Sequence, residues 1–136
     1  MLDRPAANTF NTNAADKAVL VSLDFGESDP AENLEELRRL AASDQLTISA
    51  VVNGKRLKPD PATFAGSGKV DEIAAALEQT GASLVIFNHD LSPAQQRNLE
   101  QRVEHRVIDR TSLILDIFAQ RAKSHEGKLQ VELAQL

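Results

Sequence analysis

Short apolar strand patterns alternate with amphipathic helix patterns along most of this 136-residue chain. Apolar residues recur at every second position in the first strand pattern. The third is a continuous apolar run, which is typical of a parallel strand buried on both faces. The predicted strands are 18–25, 46–52, 84–87 and 107–108, the last at an edge. This order predicts an α/β fold, a small four-stranded parallel sheet with helices on both faces. Right-handed crossovers leave few topologies, and we predict the strand order 2-1-3-4.

The predicted helices carry recognisable start and stop signals. Asp29 followed by Pro30 is typical of an N-cap and a first helical residue. Ser92 and Gln95, with a proline between them, form the pattern of a capping box, and Gly81 is typical of a helix end. These signals place the first three helices between the four predicted strands.

The last thirty residues, 107–136, carry apolar side chains at helical spacing up to the end of the sequence. Gly127 predicts a break between a helix that starts near Thr111 and a second helix that bears Leu129, Leu133 and Leu136. This second stripe reaches the last residue without a C-cap, so we interpret the chain as a fragment of a longer protein. An apolar stripe without a partner favours association, and we expect self-association through residues near 127–136.

The composition argues against several classes of function. The absence of Cys, Trp and Tyr argues against disulfides, thiolate metal sites and an aromatic platform for single-stranded bases. No apolar run approaches the roughly 20 residues of a membrane span, and the polar start lacks the apolar core of a signal peptide. Residues 1–54 hold nine acidic and four basic residues, whereas residues 55–136 hold eleven of each. This balance argues against free DNA as a partner and leaves a specific RNA surface open. The lack of a span and of a signal-peptide pattern fits a cytosolic protein.

Three segments of the sequence are specific enough to suggest a family: PDPATFAGSGKVDEI, GASLVIFNHDLSPAQQRNLE and VIDRTSLILDIFAQRAKSHEGKLQVELAQL. They closely resemble the amino-terminal domain of HflX-type ribosome-associated GTPases, and the resemblance covers about residues 17–136. In that family this domain precedes a helical hairpin, a glycine-rich segment and a Ras-like GTP-binding domain. We accordingly divide the chain into a flexible segment at 1–16, an α/β domain at 17–124 and, at 125–136, the start of a long hairpin helix.

The resemblance implies that the parent protein hydrolyses GTP with magnesium, binds the large ribosomal subunit and helps to split or rescue stalled ribosomes. The present chain would then be a non-catalytic ribosome-docking and regulatory domain, located in the cytoplasm and partly on ribosomes. No GTP-binding residue of the family maps onto it, so GTP and magnesium are assigned to the parent and no cofactor to this chain. The expected partners are the large subunit with its rRNA and the GTP-binding domain of the same polypeptide.

A glycine-rich segment before the second helix, 66–69, partly matches a phosphate-binding loop. A P-loop needs G-x-x-x-x-G-K-[ST], but Thr63 stands at the first glycine position and Val70 at the hydroxyl position. A flexible turn that starts a helix is therefore favoured, and an anion or RNA-phosphate contact at that helix N-terminus stays open. The competing function is an independent small nucleotide- or anion-binding α/β module that uses 66–69 and 88–90 as its pocket.

Basic residues occur in two parts of the sequence where they could meet phosphates. Together with two glycines of the loop, they form the set of candidate anion or rRNA contacts: Lys55, Arg56, Lys58, Gly66, Gly68, Lys69, Arg121, Lys123 and Lys128. We assign no catalytic residue and no metal ligand.

Polar residues also follow the third and fourth predicted strands. His89 and Asp90 stand at the edge where open α/β sheets bind ligands. Ordinary loop residues are favoured there over a metal site, or over a triad of Ser92, His89 and Asp109. Asp109 or Thr111 is a candidate cap for the last helix, and Arg110 is expected to pair with a carboxylate or to lie on RNA.

Overall fold

The computed structural model describes the backbone of residues 16–134 and the side chains of residues 16–123. Strands and helices alternate throughout this part of the chain. The elements are β1 (Lys17–Asp24), α1 (Pro30–Ser43), β2 (Thr47–Lys55), α2 (Ser67–Thr80), β3 (Leu84–Phe87), α3 (Pro93–Val103), β4 (Arg106–Asp109) and α4 (Arg110–Ala134). The predicted α/β class is confirmed.

The four strands form one parallel sheet in the order β2-β1-β3-β4, which confirms the predicted topology. β1 lies at the centre, and six consecutive residues of this strand are buried although their pattern alternates. The buried hydroxyl of Ser22 explains part of that alternation, because it accepts a hydrogen bond from the Asn88 side chain at 3.2 Å. β4 lies at an edge, as predicted.

A separate apolar core lies on each face of the sheet. On one face α2 and α3 pack against alternate strand residues such as Val21 and Phe87. On the other face α1 and α4 pack against Leu20 and Ile86. These four side chains are fully buried, and each contributes roughly 1.5–3 kcal/mol relative to exposure. Because helices cover both faces of the sheet, only its edges are open to solvent-exposed loops. The loops at its carboxyl edge therefore start from fixed strand ends.

The predicted helix boundaries agree with the caps in the structure. The Asp29 carboxylate accepts a hydrogen bond from the Ala31 N–H at 3.0 Å, and Pro30 is the first residue of α1. Ser92 and Gln95 form the reciprocal bonds of a capping box at the start of α3. Gly81 ends α2 with a φ of 73°.

The last helix differs from the prediction, because α4 is one continuous helix through Gly127. The predicted break at this glycine is therefore wrong. Glycine in a helix interior costs about 1 kcal/mol relative to alanine, but it keeps its N–H and does not by itself end a helix. The predicted flexible segment at 1–16 falls almost wholly outside the described residues, and so do the side chains of Leu129, Leu133 and Leu136. Within the described part, no helix is both long and apolar enough to cross a membrane.

Candidate functional site

The polar residues of interest lie at the carboxyl edge of the sheet. The strand order reverses direction between β1 and β3, and open α/β sheets bind ligands at this switch point. A cleft of about 270 Å³ lies there, lined by the end of β1 and the loop after it, by α1, by the residues that follow β3 and by the first residue of α4. Asn88, His89 and Arg110 form part of its lining.

A hydrogen-bond network centred on Asn88 forms one side of this switch-point cleft. The Asn88 Nδ2 group donates to the Asn33 carbonyl at 2.9 Å, and Oδ1 accepts from Arg110 Nη1 at 3.1 Å. The other guanidinium nitrogen of Arg110 donates to the Glu36 carboxylate. Arg110 therefore pairs with a carboxylate, one of its two predicted roles. The network connects the end of β3 to α1 and α4. These polar groups therefore have a structural role.

His89 is held in a neutral form beneath the loops of the edge. Its Nε2 atom accepts a hydrogen bond from the Leu23 N–H at 2.9 Å, so the remaining proton resides on Nδ1. The ring packs at centroid distances of 5.0 Å from Phe64 and 5.5 Å from Phe25. Burial among these rings lowers the pKa of His89 to about 4, and neighbouring Asp90 only partly opposes the shift. At neutral pH the imidazole is an uncharged packing element.

The candidate triad does not form in this geometry. Ser92 caps α3, and its Oγ atom accepts a hydrogen bond from the Gln95 N–H at 3.1 Å. Both Asp109 carboxylate oxygens accept backbone N–H groups, from Leu91 at 3.0 Å and from Ser112 at 2.9 Å. The second bond confirms Asp109 as a cap of α4. Across the described residues there is no group of three or more acidic or histidine side chains that could hold a metal ion.

The loop between β2 and α2 carries the first group of basic candidates, and Arg56 organises it. The Arg56 Nη1 atom donates to the Ala65 carbonyl at 3.0 Å, and Nε donates to the Lys58 carbonyl at 3.2 Å. Gly66 leaves room for this guanidinium, because a Cβ on Gly66 would lie 2.4 Å from Arg56 Nη1. Arg56 is thus a positioning residue, whereas Lys55 and Lys58 are exposed.

Helix α3 braces the same loop from the side. Gln95 Nε2 donates to the Asp60 carbonyl, and Asn98 Nδ2 donates to the Ala62 carbonyl, both at 2.9 Å. The Asp60 carboxylate accepts the N–H groups of Thr63 and Ala62, and these bonds lower its pKa. The loop is therefore held by hydrogen bonds at both ends and along one side.

The geometry at the start of α2 is unlike that of a P-loop. Lys69 Nζ donates to the Asn53 carbonyl and to the Glu72 carboxylate, both at 2.8 Å, so the ammonium is already paired. Val70 belongs to the core, with 1% of its surface exposed. Gly66 precedes α2 without a side-chain cap, and a cavity of about 390 Å³ lies beside it, lined by 65–69 together with Lys55, Arg56 and Asp60.

The structure keeps the two groups of basic candidates apart. Arg121 and Lys123 are exposed on α4, which packs on the sheet face opposite α2. α4 starts at the carboxyl edge, and Arg121 lies roughly 16 Å along the helix axis from its first residue. The side chain of Lys128 lies outside the described residues. Among the described side chains, Lys55, Arg56 and Lys69 of the loop group line one cavity together with Gly66 and Gly68.

Sequence reasoning missed the residues that brace these loops. Gln95 was predicted only as a member of a capping box, and neither Asn98 nor Glu36 was singled out. Arg110 and its partner Glu36 are 74 positions apart in the chain. No local pattern links such distant positions, so the only available signal was an arginine directly after an edge strand.

Comparison with known proteins assigns the chain to a family. The sequence profile of the family described as GTP-binding GTPase N-terminal matches residues 31–119. The chain belongs to this family. It is 56% identical to GTPase HflX of Escherichia coli over 124 residues, which cover 91% of this chain and 29% of the relative. It is 50% identical to GTPase HflX of Alkalihalophilus pseudofirmus over 105 residues, which cover 77% of this chain and 25% of that protein. The predicted resemblance to the HflX-type amino-terminal domain is confirmed.

A solved structure supports the fold. The crystal structure of SsGBP in complex with GDP matches with a TM-score of 0.64 and 24% sequence identity, covering 88% of this chain and 34% of that one. The present chain thus spans about a third or less of each of these three proteins.

Proposed function

We propose that this chain is the ribosome-docking and regulatory domain of an HflX-like GTPase. In this proposal the parent protein binds GTP and magnesium in a separate domain and hydrolyses GTP. It acts in the cytoplasm, where it binds the large ribosomal subunit and helps to split or rescue stalled ribosomes. The present domain contributes binding surface and influences the GTP-binding domain of the same polypeptide, but it performs no chemistry.

The observation that carries the proposal is the extensive identity to GTPase HflX of Escherichia coli, combined with the paired state of Lys69. A nucleotide site in this domain would require the Lys69 ammonium to bind a phosphate group. In the structure this ammonium binds two oxygen atoms of the protein instead. Lys55, the last residue of β2, and Lys58, in the braced loop that follows, are exposed, and Arg56 holds that loop in shape. A preorganised pair of exposed cations suits contact with a phosphate backbone, because little ordering cost remains.

The chain is expected to bind neither GTP nor ATP tightly. Titration of fluorescent GTP and ATP analogues with magnesium should show no saturable binding below about 100 μM. The physical reason is the missing hydroxyl at Val70 and the internal pairing of Lys69. Tight binding that disappears in Lys69→Ala would contradict this expectation and would support a nucleotide-binding module instead.

Reversing charge on the exposed loop is expected to weaken association of the full-length parent with large ribosomal subunits. Each lost contact between a lysine and a phosphate should also lower the slope of log affinity against log salt concentration by roughly one. Cosedimentation of a Lys55→Glu, Lys58→Glu variant across a salt series measures both effects. Arg38→Glu with Arg97→Glu is the matched control, because these exposed arginines lie on α1 and α3 and the charge change is the same. Equal losses in both variants would show that net charge, rather than this loop, decides binding.

A second candidate function is anion binding at the start of α2. The favouring observation is that no side chain caps the first N–H groups of α2, and that the residues which carry them, 67–69, line the neighbouring cavity. Inorganic phosphate should then produce chemical-shift changes confined to the amides of 66–69. A uniform response across the chain, or none, would exclude this alternative.

A further inference from the structure

An apolar groove, the Leu57 groove, lies beside the exposed lysines at the carboxyl edge of the sheet. It has a volume of about 380 Å³ and is lined by Asp24, Phe25, Gly26, Lys55, Arg56 and Leu57. Leu57 is fully exposed, and Phe25 is only half-buried. A single exposed leucine is ordinary on a protein surface, but this one borders a cavity and stands between Arg56 and Lys58 in the chain. The groove therefore combines apolar surface with positive charge.

The walls of the Leu57 groove are fixed by contacts with the rest of the fold. The Phe25 ring packs edge-to-face against Phe64 and His89, at centroid distances of 5.6 Å and 5.5 Å. The Arg56 N–H donates to the Asp24 carbonyl at 3.0 Å, which ties the turn after β2 to the end of β1. Asp24 Oδ1 accepts the Gly26 N–H at 2.8 Å, and a carboxylate keeps further acceptor sites for a ligand. The groove thus offers preformed apolar walls and one hydrogen-bond acceptor.

A second cavity adjoins the Leu57 groove at Lys55 and Arg56, which line both. The far side of this cavity is formed by 65–69, where α2 begins, and the uncapped N–H groups of a helix start favour negative charge. The Asp60 carboxylate also lines it but already accepts two backbone N–H groups of its own loop. One cavity therefore suits an apolar group and its neighbour an anion, with cationic side chains between them. A nucleotide has the same two parts, a flat base and a phosphate.

We propose that the Leu57 groove binds one unpaired nucleotide of an RNA strand, with its base against Phe25 and Leu57 and its phosphates near Lys55 and Lys58. This inference rests on the proposed function, in which the same lysines contact rRNA. A duplex presents phosphates but keeps the faces of its bases stacked, so it would leave Leu57 without a partner. Because the chain has no Trp or Tyr, the groove offers surface for one base rather than a platform for several.

Asp24 gives the groove a preference among bases. A carboxylate accepts a hydrogen bond from the amino group of cytosine. Uracil presents its N–H only between two carbonyl oxygens, which a carboxylate repels. We therefore expect cytosine to bind more tightly than uracil, although both carry the same phosphates.

NMR titration of the 136-residue chain with RNA oligomers of about six nucleotides tests the proposal. Oligocytidylate should shift the Phe25 ring and Leu57 methyl signals, and it should bind about fivefold more tightly than oligouridylate or a duplex of equal length. Equal affinity for single-stranded and duplex RNA would overturn the proposal. So would the absence of binding by any of the three up to about 1 mM.

Two variants test the residues of the groove. Leu57→Ser should raise the dissociation constant of oligocytidylate about fivefold, whereas Leu115→Ser, which changes an exposed leucine on α4, should leave it unchanged. Asp24→Asn should abolish the preference for cytosine over uracil, because an amide can both donate and accept, while its oxygen can still accept the Gly26 N–H. Equal losses in the two leucine variants, or an unchanged base preference in Asp24→Asn, would refute the proposal.

The outcome is distinguishable from that of the proposed function. If Lys55→Glu with Lys58→Glu weakens ribosome association but the chain binds single-stranded and duplex RNA equally, the docking role stands and the nucleotide groove is refuted. If the chain binds oligocytidylate through Leu57 but the lysine variant associates normally with ribosomes, the groove stands as a nucleotide site without a role in docking.

Discussion

Replacing Gly66 with alanine is expected to lower the free energy of unfolding by about 2–4 kcal/mol, with a lower urea midpoint as the measured result. Gly66 has a φ of 87° and a ψ of 155°, a region that is essentially restricted to glycine. An added Cβ would also lie 2.4 Å from Arg56 Nη1, so the guanidinium must leave the Ala65 carbonyl. Backbone strain and a lost charge-assisted hydrogen bond therefore act together.

Two comparisons separate these causes. Gly81→Ala has a positive φ of 73° but no heavy atom within 4 Å of the added Cβ, so it reports backbone strain alone and should cost about 1 kcal/mol. In an Arg56→Ala background, Gly66→Ala should cost less than in the native chain, because the clash is already absent. An unchanged cost in that background would show that the guanidinium plays no part.

Stability is expected to fall as the pH is lowered from about 6.5 to about 4, because His89 resists protonation in the folded state. The unfolded chain binds the extra proton near its ordinary pKa of 6.5, whereas the folded chain does so only near 4. The unfolded state therefore holds more protons throughout this window, and acid favours it. Since the ring is only partly buried, we expect a loss of roughly 1–2 kcal/mol, discounted for solvent screening.

Urea denaturation at a series of pH values measures this loss, and His89→Gln is the comparison. Glutamine can still accept the Leu23 N–H but does not titrate, so its stability should be nearly flat over the same window. Asp60 has a lowered pKa, so its contribution is lost below its ordinary value of 3.8 and does not overlap this window. An equal pH dependence in His89→Gln would assign the effect to other groups.

Local signals in the sequence predicted the fold well, because each signal satisfies a backbone requirement nearby. Asp29 and Ser92 supply oxygen atoms to the first N–H groups of their helices. A continuous apolar run such as 84–87 is stable only between two covered faces. Gly127 was misread because glycine permits a helix end without enforcing one, and here the helix continues.

The candidate site was less predictable from the sequence. The grouping of Lys55, Lys58 and 66–69 was anticipated, since the residues share one loop. The roles within the group were not, because Arg56 and Lys69 look like free cations in the sequence. In the structure Arg56 binds the carbonyls of its own loop, and Lys69 binds the end of β2.

The sequence by itself determined the alternation of strands and helices, because periodicity and caps are short-range constraints. Right-handed crossovers left few strand orders, among them the observed one. The family was recognised from the resemblance of three specific segments. The tertiary structure alone decided which polar groups are paired. Asn88, Arg110 and Glu36 meet only because β3, α4 and α1 converge at one edge of the sheet. Asn88 and Arg110 are half-buried, and polar groups that lose contact with water are nearly always hydrogen-bonded. Their partners are set by folded geometry rather than by distance along the chain.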